Sequence, residues 1–144
     1  MTKTECQSAI TRNENLISQY NSKITTLQKE IGELQTTRTK LTTLQTDLSS
    51  CKSSSVTKLA SSTGLDKINK NIATKFFEGM NEIYTGSKYT NVSNGLDTAV
   101  TTVANEIEKK QGEITTYQNN INSCNTAIQS MKNEITKIES EETK

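Results

Sequence analysis

Apolar residues recur between Leu96 and Ile138 at alternating steps of four and three. Written as a heptad, all a positions are Val or Ile, and Lys110 is the one charged residue at d. A period of 3.5 residues held over about six heptads is typical of a coiled-coil seam. The pattern predicts a long helix over residues 88–141 that needs a second helix to cover its apolar stripe. Its seam residues are Val100, Ile107, Ile114, Ile121, Ile128 and Ile135 at a, and Leu96, Val103, Lys110, Tyr117, Cys124, Met131 and Ile138 at d.

The same period fills the N-terminal part of the chain and predicts a first helix over residues 3–50. At Arg38 the phase slips, and the apolar pattern continues on a face shifted from the first. Such a stutter locally unwinds a supercoil. Leu41 and Leu44 are therefore predicted to lie off the main seam, where they can contact a partner. The seam residues before the slip are Ile10, Ile17, Ile24 and Ile31 at a, with Tyr20, Leu27 and Leu34 at d.

A serine-rich segment interrupts this pattern and predicts a break over residues 52–63, because side-chain hydroxyls compete for backbone hydrogen bonds. A shorter helix is predicted over residues 64–84, and it contains both phenylalanines of the protein. Gly86 is predicted to end this helix in a turn at residues 85–87, since glycine adopts positive φ without steric penalty. The apolar face of the shorter helix comprises Leu65, Ile68, Ile72, Phe76, Met80 and Ile83, with Phe77 and Tyr84 beside it.

Two seams of similar length in one chain predict an all-α fold. We expect a long antiparallel helical hairpin, or coiled coil, with the shorter third helix near the hinge end, in a single domain over residues 1–144. A register that places Cys6 near Ile138 would bring Arg38 to Glu106, so we expect Arg38 to form an ion pair with Glu106 or a neighbouring acid. Isoleucine at a with leucine at d also favours parallel dimers between chains, and that arrangement stays open.

Composition excludes several classes of function. The net charge of +1 argues against a nucleic-acid footprint, and no apolar run approaches the length of a membrane span. With no histidine there is no His-based catalysis and almost no ligand set for a transition metal. We predict a non-enzyme without cofactor or metal. Three sparse cysteines predict no intramolecular disulfide, with Cys124 buried at d. The N-terminus lacks the apolar core of a signal peptide, which predicts a protein that stays in the cytoplasm or leaves by a route that does not read a cleaved signal peptide.

The aromatic cluster of the shorter helix has two interpretations. As part of the core, it would fill the hinge end of the hairpin. As a docking patch, it would join Leu41 and Leu44 in binding a partner. The candidate partner-binding residues are Leu41, Leu44, Phe76, Phe77, Met80, Ile83 and Tyr84, and the turn motif consists of Tyr84 and Gly86.

Three features together resemble a known family. They are the coiled-coil stretch Lys23-Ile-Thr-Thr-Leu-Gln-Lys-Glu-Ile-Gly-Glu-Leu34, the serine-rich break Leu48-Ser-Ser-Cys-Lys-Ser-Ser-Ser55, and the turn Tyr84-Thr-Gly-Ser87 that opens a long final helix. In this combination the chain is similar to the YwqH-like helical-hairpin proteins of type VII secretion, a WXG-type group encoded beside LXG toxins. That family usually has Trp-x-Gly at the turn, where this chain has Tyr84 and Gly86.

The resemblance implies a Gram-positive bacterial source and a protein partner. The partner would be the helical N-terminal domain of an LXG-type toxin, with room for a second small helical protein. The chain would act as its targeting factor or chaperone, either staying in the cytoplasm or being secreted with it. Two alternatives stay open: a self-associating cytosolic structural or adaptor coiled coil, and an immunity protein that blocks the toxin's catalytic end.

Overall fold

The structure is a computed structural model that describes residues 1–61 and 70–142. Every regular element in these residues is an α-helix: α1 spans Lys3–Ala60, α2 spans Lys70–Thr85 and α3 spans Ser87–Glu142. The predicted all-α helical hairpin is thus confirmed. The contacts group the chain into two compact units. Unit 1 combines Met1–Glu33 with Glu106–Lys144, and unit 2 is the continuous stretch Leu34–Asn105.

The first helix is longer than its sequence predicts. α1 continues to Ala60, so the predicted break is wrong for residues 52–60, which are helical. Val56 and Leu59 line a cavity together with Phe77 of α2, whereas Ser53 and Ser54 are exposed. Packing of the apolar face therefore overrides the weak helix propensity of the serines. Of the rest of the predicted break, Ser61 forms a turn after α1. Residues 62 and 63, and residues 64–69 at the predicted start of the second helix, lie outside the described residues.

Gly86 joins α2 to α3 without reversing the chain. Its amide donates to the carbonyl of Glu82 at 2.8 Å, and its own carbonyl accepts from the amide of Thr90 at 3.2 Å. No described glycine has a positive φ. The predicted helix boundary at Gly86 is confirmed, because α2 ends at Thr85 and α3 begins at Ser87. The predicted turn with positive φ is wrong, because helical hydrogen bonding continues on both sides of a one-residue bend. A side chain at this position would overlap the carbonyl oxygen of Glu82, which explains why glycine stands there.

Unit 1 is an antiparallel helix pair. Its register is fixed near one end by an ion pair between Lys3 and Glu139 at 2.6 Å. Tyr20 stacks on Tyr117 with ring centroids 5.6 Å apart, and the Nζ of Lys23 lies 5.1 Å from the Tyr117 ring centroid. The buried side chains of this seam are Cys6, Ile10, Leu27 and Ile31 of α1 and Ile107, Cys124 and Ile128 of α3. The heptad assignment, including a buried Cys124, is confirmed in this unit.

Lys110 occupies its d position as part of an ion-pair layer. Its Nζ donates to Glu30 Oε2 at 2.7 Å and lies 3.5 Å from Glu106, while its side chain keeps 19% of its exposure. The hydrogen bond to Glu30 raises the pKa of Lys110 above its ordinary value. Glu106 is thus engaged within α3, by Lys110 and Lys109. Among the described residues Arg38 pairs with neither Glu106 nor a neighbouring acid, so the predicted ion pair is wrong, and Arg38 is exposed.

Unit 2 also pairs its helices antiparallel. The amide of Gln45 in α1 donates to the carboxylate of Asp97 in α3 at 2.5 Å. The Nζ of Lys52 lies 4.3 Å from the centroid of the Tyr89 ring. Closer to the end of α1, Val56 and Leu59 meet the aromatic face of α2. The shorter helix therefore packs against the last turns of α1 and leads through Gly86 into α3.

Candidate partner-binding surface

Exposed apolar side chains are concentrated in unit 2. Among the described residues, the large hydrophobic side chains that remain exposed are Met1 and five residues of unit 2: Leu44 at 53%, Ile72 at 61%, Phe76 at 48%, Ile83 at 59% and Val92 at 55%. Single exposed apolar residues are ordinary on protein surfaces, but contiguous ones mark interaction sites. Three of the five lie on one helix, α2.

Two apolar stripes run along α2. The packed stripe holds Ala73, which is buried, and Phe77, Met80 and Tyr84, which are half-buried. The second, here called the α2 stripe, consists of Ile72, Phe76, Gly79 and Ile83, all exposed. Both sets follow helical spacing, and they are offset by one residue, or about 100° around the helix. The two stripes therefore lie side by side, one buried or half-buried against the rest of unit 2 and the other exposed.

The packed stripe holds α2 against α1. Phe77 lines one cavity with Val56, Leu59 and Ala60, at the point where α1 ends. The Phe77 ring also contacts Phe76 edge-on, with centroids 6.0 Å apart and planes at 73°. Edge-to-face pairs of this kind are favourable beyond the area they bury. Phe77 thus contacts one side of the Phe76 ring, and Phe76 stays about half exposed to solvent.

Gly79 lies in the middle of the α2 stripe. A Cβ built there would meet no atom of the described residues within 4 Å, so none of these residues requires glycine at this position. Glycine is the poorest helix former after proline. A glycine between exposed Phe76 and Ile83 therefore leaves a gap in the stripe, and this gap can accept a bulky side chain of another molecule.

A second apolar feature lies between α1 and α3. Leu44 lines a groove of about 420 Å³ together with Leu48, Cys51, Val92 and Leu96, and Asp47 is the one charged residue there. Leu41, one turn before Leu44, is half-buried. We call this feature the Leu44 groove. It places the two exposed residues Leu44 and Val92 together, on different helices.

The structure divides the predicted partner-binding residues. Leu44, Phe76 and Ile83 are exposed, as a docking role requires. Phe77, Met80 and Tyr84 are half-buried, and Phe77 lines a cavity with Val56 and Leu59 of α1. Within the predicted turn motif, Tyr84 faces the packed side and Gly86 permits the bend.

Two exposed residues were missed by the sequence interpretation. Ile72 was assigned to the apolar face of the shorter helix but not to the candidate partner-binding residues, and Val92 was assigned to no site. The spacing of Ile72, Phe76 and Ile83 by four and seven residues is a signal that could have separated them from Phe77 and Tyr84. No such spacing marks Val92.

Charges flank the α2 stripe on its open edge. Lys75 precedes Phe76, and Glu82 precedes Ile83, so one cation and one anion stand seven residues apart on the same edge. Both are exposed. The other edge is the packed stripe, which is apolar. Across the described residues no group of three or more His, Cys, Asp and Glu side chains could hold a metal ion, and the three cysteines are free thiols.

In the part of the chain that the structure describes, no helix has the length and apolar character needed to cross a membrane. No protein-family model matches this chain, and neither a curated protein nor a solved structure does. The family resemblance therefore rests on the sequence motifs, and the surface described above rests on the geometry of α1, α2 and α3.

Proposed function

We propose that this chain is a non-enzymatic partner protein that binds a helix of another protein through unit 2. The observation that carries the proposal is the placement of the exposed apolar residues. Apart from Met1, all of those described lie in residues 34–105, and three of them share the α2 stripe. An amphipathic helix can dock on such a surface, because its own apolar residues recur at the same helical spacing.

The partner that the sequence resemblance points to is the helical N-terminal domain of an LXG-type toxin. In that role the chain is a targeting factor or chaperone for type VII secretion. It meets the toxin in the cytoplasm, and it either stays there or leaves with its partner. Chaperoning fits the chemistry of the surface, because Ile72, Phe76 and Ile83 offer apolar area to a helix that would otherwise be exposed to water.

The test is co-expression of the tagged chain with the toxin encoded beside it, divided into its helical N-terminal half and its catalytic C-terminal half. We expect the N-terminal half to be retained by the chain. The double variant Ile72→Ser/Ile83→Ser should lose this retention while keeping its melting temperature, because both side chains are exposed. The matched control is Gln118→Ser/Asn122→Ser, which changes two exposed residues of unit 1 and should retain the toxin.

The other outcomes contradict the proposal in distinct ways. Retention of the catalytic half alone would indicate an immunity protein. Retention of neither half, with self-association of the chain, would indicate a structural or adaptor coiled coil. The variant Phe77→Ser separates docking from packing, because the Phe77 side chain lies on the packed stripe. It should lower the melting temperature, and an unchanged melting temperature would place Phe77 in the docking surface instead.

A further inference from the structure

The α2 stripe has the spacing of a short coiled-coil seam. With Ile72 and Gly79 at d, Phe76 and Ile83 fall at a. Lys75 and Glu82 then fall at g, the position whose charges set partner choice and orientation in coiled coils. Ala73 and Met80 fall at e, on the packed stripe, which is occupied inside unit 2. The seam therefore has one edge covered by its own protein and one charged edge open to a partner.

This seam is complementary to itself when a second α2 runs in the opposite direction. In an antiparallel pair, the a residue of one helix lies opposite the d residue of the other. Phe76 of each copy then lies opposite Gly79 of the other, and Ile72 lies opposite Ile83. The aromatic ring meets the one position where a Cβ is absent and nothing within 4 Å fills the space. Each contact occurs twice, as a two-fold symmetric interface requires.

The charges agree with the same direction. In the antiparallel pair the g positions of the two helices face each other, so Lys75 of each copy lies beside Glu82 of the other. In a parallel pair, Lys75 would face Met80, and the layers would set Phe76 against Phe76 and Gly79 against Gly79. The parallel arrangement therefore loses both ion pairs. It also places a crowded Phe76 layer next to a Gly79 layer that has no side chains. Charge and shape both select the antiparallel arrangement.

We infer that two copies of this chain pair antiparallel through the α2 stripe, with Phe76 of each copy seated over Gly79 of the other and Lys75 paired with Glu82. The seam is only four layers long, so the dimer is weak and forms with rising concentration. It covers the exposed stripe of the free protein. The pairing needs no other protein, so it succeeds or fails independently of the toxin partner proposed above.

Sedimentation equilibrium of the purified chain over a wide concentration range provides the first test. The wild type should pass from monomer to dimer. Lys75→Glu and Glu82→Lys should each weaken association by about tenfold, because two attractive pairs become two repulsive ones. An equimolar mixture of the two variants should associate as tightly as the wild type, since in the mixed pair every acidic g position faces a basic one. A wild type that stays monomeric, or a mixture that is no tighter than its components, would overturn the inference.

Gly79→Ala separates the dimer from the fold. Alanine is the better helix former, and open space surrounds the position, so the monomer should melt at a higher temperature. The same methyl group stands where Phe76 of the second copy should sit, so association should weaken. Gly112→Ala is the matched control, because it also lies in a helix with nothing within 4 Å of a Cβ. It should raise the melting temperature and leave association unchanged. Equal association for Gly79→Ala and the wild type would refute the seating of Phe76.

Discussion

One isoleucine of each unit, truncated to alanine, tests whether the two surfaces described above differ as the structure indicates. Ile31 lies in the seam of unit 1 and is 8% exposed, whereas Ile72 lies on the α2 stripe and is 61% exposed. The chemical change is the same at both positions, and both lie inside helices. Any difference in the free energy of unfolding therefore reports burial.

The magnitudes follow from the carbon atoms removed. Truncating a buried isoleucine forfeits three carbons at about 0.8 kcal/mol each and leaves a cavity, while alanine returns about 0.4 kcal/mol of helix propensity. For Ile31 the net loss is about 2–4 kcal/mol, or about 5–12 °C in melting temperature for a chain of this size. For Ile72, at 61% exposure, the transfer term falls to about 1 kcal/mol. After the propensity gain the net loss at Ile72 is under about 1 kcal/mol.

Urea unfolding followed by circular dichroism measures both values. The protein concentration should be the lowest that gives a usable signal, so that the α2 stripe is uncovered in every sample. We expect Ile31→Ala to unfold at clearly lower urea than the wild type and Ile72→Ala close to it, with similar m-values. Equal losses at the two positions would refute the assignment of Ile72 to an open surface. A loss confined to Ile72 would refute the seam of unit 1.

Three further predictions concern single residues. Gly86→Ala should lower the melting temperature, because the added Cβ would overlap the carbonyl oxygen of Glu82. The control Gly95→Ala has open space around it and should not lower the melting temperature. Equal melting temperatures for the two variants would contradict the one-residue bend. The pKa of Lys110 is raised in the folded state above its ordinary value of 10.5, so its contribution to stability is complete below that pH and is lost as the pH rises through the folded pKa. The free energy of unfolding, measured by urea titration, should therefore fall less for Lys110→Met than for the wild type as the pH rises from neutral to strongly alkaline. Equal falls for the two proteins would contradict the ion-pair layer. Ellman's reagent should label Cys51, which is exposed, in the native protein, and the two buried thiols only on unfolding; rapid labelling of all three would contradict the burial of the seam.

The helix pair of unit 1 can be predicted from the sequence because its apolar positions recur in every heptad. Each heptad of unit 1 indicates the same buried face independently, so a single misfit such as Lys110 does not alter the assignment. The end of α1 gives no such repetition. The serines at residues 53–55 weaken the helix locally, and contact of this part of α1 with α2 and α3 offsets that weakness. A contact between residues distant in sequence cannot be obtained from local propensity.

The candidate surface was predictable in its location but not in its boundaries. The sequence places Phe76, Phe77 and Ile83 together on one helix, yet neighbouring aromatics in a helix point about 100° apart. Deciding which of Phe76 and Phe77 is packed needs the position of α1, which periodicity does not supply. Gly86 shows the same limit, because glycine serves both positive φ and close approach of the backbone, and the structure shows the second.

The excess of apolar surface on α2 distinguishes unit 2 from unit 1, whose described helices have no comparable exposed face. A two-helix seam covers a stripe of about two residues in seven on each helix. The helices of unit 1 carry about that amount, and their large apolar residues face the seam. α2 carries two such stripes side by side, and α1 covers only the one that contains Phe77. Among the described residues, Ile72, Phe76 and Ile83 therefore stay exposed on the second stripe, and a helix that packed against it would bury their apolar area.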